Sequence, residues 1–89
     1  MNDYCKEIAF EAIENFGAKK QVLKAIEELA ELQVELAKSL NEIDSNIVEE
    51  LADVEYMLFQ IKEIYNISKS EIDDCILRKA QRLEKRIKN

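Results

Sequence analysis

Two short acidic stretches are set apart by their spacing. Glu27, Glu28 and Glu31 form E-E-x-x-E, and Glu50 and Asp53 form E-x-x-D. Residues three apart lie on one side of a helix, so Glu28 projects with Glu31, and Glu50 with Asp53. If the two helices face each other, four carboxylates converge. Four hard oxygen donors are a ligand set for Mg²⁺ or Mn²⁺. The chain has no histidine. That removes Ser-His and Cys-His pairs and every zinc motif that needs imidazole. Catalysis therefore has to rest on carboxylates, lysines, a metal ion or some combination. The two thiols, Cys5 and Cys75, lack C-x-x-C spacing and read as reduced, packed groups.

The elements that would position these acids are helical. The chain is 47% hydrophobic, with no proline and one glycine. This excludes disorder and argues against a turn-rich β fold. The spacing predicts four helices in a single domain, residues 1–89, with a four-helix bundle-like architecture. They run over about 3–15, 19–40, 47–65 and 69–88. Gly17 is placed to stop the first. Asn46 with Glu49, and Ser68 with Glu71, have capping-box spacing at the starts of the third and fourth. The connections are short enough for antiparallel neighbours.

The helical wheel separates the two acidic stretches. In the second helix Glu27, Glu28, Glu31 and Glu35 share one side with Lys20, Lys24 and Lys38, opposite the apolar arc. Alone, that is a solvated face laced with ion pairs. In the third helix, Val54, Ile61, Ile47 and Leu58 flank Glu50 on one side, and Met57 and Ile64 on the other. Glu50 and Asp53 are thus embedded in an apolar face. A carboxylate there needs a cation, because burying it unpaired is costly. The cation is either a metal ion or a lysine or arginine from a neighbouring helix. The fourth helix adds an apolar seam of Ile72, Ile76, Ala80, Leu83 and Ile87. Beside it runs a basic stripe of Lys79, Arg82 and Arg86. Next to a metal-carboxylate cluster, such a stripe suits a polyphosphate.

The net charge of −6 gives no basic footprint for nucleic acid. No apolar run is long enough to cross a membrane, and no secretory signal is evident, so the expected location is the cytoplasm.

With its E-E-x-x-E, spacer, E-x-x-D order followed by the basic R-K-A-Q-R-L-E-K-R-I helix, the chain resembles the MazG-like family of all-α NTP pyrophosphatases, over about residues 16–87. The resemblance implies a MazG-type fold and hydrolysis of a nucleoside triphosphate to the monophosphate and pyrophosphate. It implies Mg²⁺ (or Mn²⁺) held by Glu28, Glu31, Glu50 and Asp53. Glu27 and Glu28 would serve the attacking water, and Lys79, Arg82 and Arg86 the phosphates. It further implies a homodimer or homotetramer whose site borrows residues from a second chain. Many relatives carry an Asn four residues after the matching lysine, where this chain has Leu83. The alternative is a non-catalytic helical interaction or nucleotide-binding module, with every acid on the surface or in a salt bridge.

Overall fold

The computed structural model describes all of residues 1–89 as four helices with no strand. They are α1 (Asp3–Phe16), α2 (Ala18–Leu40), α3 (Ile47–Ile64) and α4 (Lys69–Lys88). The all-α class and the number of helices match the expectation from sequence.

Local chemistry sets the helix ends. Gly17 closes α1, its N–H donating to Ile13 O at 2.9 Å, and its φ of 89° with ψ of 152° turns the chain directly into α2. That backbone region is open almost solely to glycine. At the other end of α2, Glu42 takes a positive φ of 59°. The N–H of Glu42 reaches Ser39 O and that of Ile43 reaches Lys38 O, at 3.3 and 2.9 Å. These two bonds form a Schellman stop. The same motif ends α3, where Asn66 has φ 55° and the N–H of Ile67 meets Lys62 O at 2.8 Å.

The two capping boxes expected from sequence differ in outcome. At α4 the box is complete: Ser68 Oγ accepts from the Glu71 N–H, and Glu71 accepts from the Ser68 N–H. At α3 the Asn46 side chain caps no backbone N–H. Its amide donates instead to the Glu49 carboxylate. An amide and a carboxylate in reach of each other can satisfy one another, leaving the first turn to solvent.

α2 and α3 form the main packing pair, and α1 lies across both. The buried apolar centre is small: Ala9, Ala25, Val54 and Met57. Phe10 and Phe59 meet edge to face at 5.7 Å, and Tyr56 donates to Cys5 O at 2.7 Å, tying α3 to α1. The helical bundle is built from α1–α3. α4 packs against none of the other three helices, and no residue on it is buried. Only α1–α3 form a body. The apolar seam of α4 lies open, with Ile76, Leu83 and Ile87 all more than half exposed.

Candidate metal centre

The acidic faces of α2 and α3 turn toward each other. Carboxylate oxygens of Glu28, Glu31 and Glu50 all lie within 4.8 Å of one another. Asp53 stands beside Glu28, close enough for a bond between the two carboxyl groups if they share a proton. The two helices are antiparallel and in register. Gln21 meets Gln60, Glu28 meets Asp53 and Glu31 meets Glu50, as paired steps along one seam.

Little positive charge answers these acids. Lys24 Nζ lies 3.1 Å from Glu28 Oε1 and 3.6 Å from Glu27 Oε2. Lys38 lies 3.5 Å from Glu35 Oε2, within ion-pair range but without a hydrogen bond. One oxygen each of Glu28, Glu35 and Glu50 is sealed from solvent and has no hydrogen-bond partner. Such orphans are rare in folded proteins, because each forfeits its hydration with nothing in return. Burial, followed by the charges of Glu31, Asp53, Glu28 and Glu35, pushes the Glu50 carboxyl above its ordinary range. Burial and the neighbouring Glu28 push Asp53 the same way, with Lys24 opposing. Lys24 is held protonated by its bond to Glu28.

Two expectations are modified. Asp53 is exposed at the mouth of the site, not enclosed like Glu50, because the cleft opens between α2 and α3 at its position. Conversely, Glu28 is only 6% exposed, although its own helix places it on the polar side. The opposing acids of α3 cover that side. Glu27 stays outside, two-thirds exposed and paired with Lys24. Lys79, Arg82 and Arg86 are not brought to the carboxylates within one chain, since α4 projects away from α2 and α3. Arg82 instead joins Arg78, Gln81 and Lys85 around a shallow basic hollow on α4 itself.

Sequence reasoning left three residues out of the site. Glu35 was assigned to the solvated face, yet it follows Glu31 by one helical turn and shares the seam. Gln21 and Gln60 carry no charge to mark them. The available signal was their heptad offset, Gln21 seven residues before Glu28 and Gln60 seven after Asp53, which returns each to the same face.

A cleft of about 590 Å³ runs alongside the acids, a volume typical of small-molecule sites. Glu27, Glu28 and Asp53 line one end, and Leu23, Tyr56 and Met57 form apolar walls. No protein-family model matches the chain, and no curated protein or solved structure matches it either.

Proposed function

We propose that this chain is a metal-dependent nucleotide pyrophosphohydrolase, converting an NTP or dNTP to its monophosphate and pyrophosphate. The observation that carries this reading is the convergence of Glu28, Glu31 and Glu50 from two helices, with a sealed oxygen of Glu28 and of Glu50 lacking any hydrogen-bond partner, beside a cleft of nucleotide size. The donors are all oxygen, which fits Mg²⁺ or Mn²⁺ and disfavours softer metals. Glu28, Glu31, Glu50 and Asp53 would hold the ion, with Glu35 added from the geometry. When bound, the ion supplies the positive charge that a triphosphate requires.

The chain's own groups do the rest. Lys20 and Lys24 line the same cleft and can pair with phosphate oxygens. A water attacks the α-phosphorus, the bond from that phosphorus to the bridging oxygen breaks, and pyrophosphate departs with the oxygen. Glu27, at the solvent-facing rim, takes the proton from the water and returns it to solvent.

The acting form in this reading is a homo-oligomer. From Arg78 onward, α4 carries Arg78, Lys79, Arg82, Lys85, Arg86 and Lys88 against the single acid Glu84, and the helix is unpaired with its own body. A second copy could present that stripe to the phosphates.

The test is pyrophosphate release from a panel of standard and modified NTPs and dNTPs, with Mg²⁺, Mn²⁺ or chelator. Metal-dependent release from at least one substrate is expected. Glu50→Gln or Asp53→Asn should abolish it while helix content by circular dichroism is retained. A folded protein inactive on every substrate would turn the reading toward an interaction module, which the open seam of α4 favours. Equal activity in the variants would remove the site assignment.

A further inference from the structure

The inner end of the cleft is polar where an apolar floor would be ordinary. Gln21 and Gln60 are only 8% and 2% exposed, and Gln21 Nε2 donates to Gln60 Oε1 at 2.7 Å. That bond uses one donor of one amide and one acceptor of the other. Gln21 Oε1 and Gln60 Nε2 make no bond within the protein, yet they are not among the sealed orphan atoms, which are all carboxylate oxygens. Both atoms therefore keep some solvent contact, and both residues line the cleft. Turning both amides over exchanges the two roles but still leaves one donor group and one acceptor facing outward.

Helix geometry supplies a ruler. Gln21 precedes Glu28 by seven residues, and Gln60 follows Asp53 by seven. The amide pair thus lies about 10 Å along the seam from the nearest carboxylates. This is about the reach from the hydrogen-bonding edge of a nucleobase to its 5′-phosphate. Between the two ends stand Leu23, Tyr56 and Met57, flat or apolar surfaces suited to a base. The Tyr56 ring is fixed in place by its bond to Cys5 O.

We propose that Gln21 and Gln60 together read the edge of a nucleobase, one amide donating and the other accepting, while the phosphates extend toward Glu28 and Asp53. The inference rests on the carboxylates being the phosphate end of the site. An edge with an adjacent donor and acceptor satisfies the pair in either order, because the amides can turn over together. The pair therefore selects for an unmodified base edge rather than for one base. A methyl group on that edge replaces a donor or blocks an acceptor and leaves a buried amide unpaired.

The test compares the intact protein's binding of four nucleoside monophosphates with that of their edge-methylated forms, by titration calorimetry in Mg²⁺. The methylated ligands are 3-methyluridine, 3-methylcytidine, 1-methyladenosine and 1-methylguanosine 5′-monophosphates. At least one parent should bind, and its methylated form should bind about tenfold more weakly or worse. Gln60→Leu should reduce the parent's affinity to the level of the methylated ligand. Hydrolysis of inorganic tripolyphosphate by the intact protein, which needs no base contact, reads the phosphate end of the site separately. Equal binding of each methylated partner, or no binding of any nucleotide, overturns the inference. Tripolyphosphate hydrolysis that persists in that case leaves the proposed phosphate chemistry standing. Base-selective binding without any hydrolysis does the reverse.

Discussion

Glu50 illustrates how a side chain can be destabilising in the fold and useful in the site. It is half-buried, one oxygen is sealed, and its nearest charges are negative. Removing its charge should therefore stabilise the metal-free protein. In chelator, Glu50→Gln is expected to raise Tm by a few degrees in a thermal melt, where an ordinary surface acid would change little. Under the proposed metal site, Mg²⁺ is expected to raise the parent's Tm, and the same substitution should erase that rise. A variant less stable than its parent in chelator would mean that Glu50 has an unseen cationic partner.

The pH dependence has the same origin. The folded pKa values of Glu50 and Asp53 are raised, so just above the ordinary carboxylate range the native state holds more protons than the unfolded chain. Stability of the metal-free protein is then expected to fall as pH rises through that window. Glu71 acts oppositely, its carboxyl being lowered by the Ser68 N–H and hydroxyl. Its contribution is present above the ordinary range and lost as pH falls below it. Thermal melts in chelator across pH 4–7 should show stability highest between these limits. The poorly hydrated setting of Glu50 was legible from its apolar neighbours in sequence. The inward turn of Glu28 was not, because the acids that enclose it belong to another helix.

At the scale of the element, the helix ends carry the sharpest expectations. No atom crowds a side chain added at Gly17, but its φ of 89° does. Gly17→Ala should cost about 1–3 kcal/mol in a denaturant melt, all of it from backbone strain. Glu42 sits in the left-handed region of a Schellman stop, where glycine is the usual occupant. Glu42→Gly should stabilise by about 1 kcal/mol in the same measurement. The positions of the four helices were legible because periodicity and punctuation agreed. The Asn46 cap was misread because spacing names a candidate partner but not which group it binds. Asn46 found the Glu49 carboxylate before the backbone.

The whole molecule is more open than its mass warrants. It exposes 7287 Å² at 10.4 kDa, where a folded monomer of that mass exposes about 5,400 Å². Its radius of gyration is 16.0 Å, against about 12 Å for a compact domain of this length. The surplus, on the order of 1,900 Å² per chain, is what an obligate dimer buries on each partner. Sedimentation equilibrium at micromolar concentration is expected to give a dimer or tetramer. Leu83→Glu, which puts a charge into the open seam of α4, should shift the population toward monomer. A monomeric parent would remove the oligomer from the proposal while leaving the carboxylate cluster intact. The amphipathic pattern of α4 was legible in sequence. Its partner was not, because an apolar stripe specifies that something must cover it and leaves the identity of the cover open.

The stepped pairing along α2 and α3 has one more consequence. Apolar side chains recur along both helices, and apolar contact by itself is non-directional and does little to fix one register. The buried Gln21–Gln60 hydrogen bond opposes a slide of one helix past the other, because it is lost when the register shifts. It works as an indexing peg, holding the two apolar surfaces at a single notch. Replacing Gln21 and Gln60 together by leucine should therefore give a protein that melts no lower but fits less uniquely, with broadened methyl resonances in place of one sharp set.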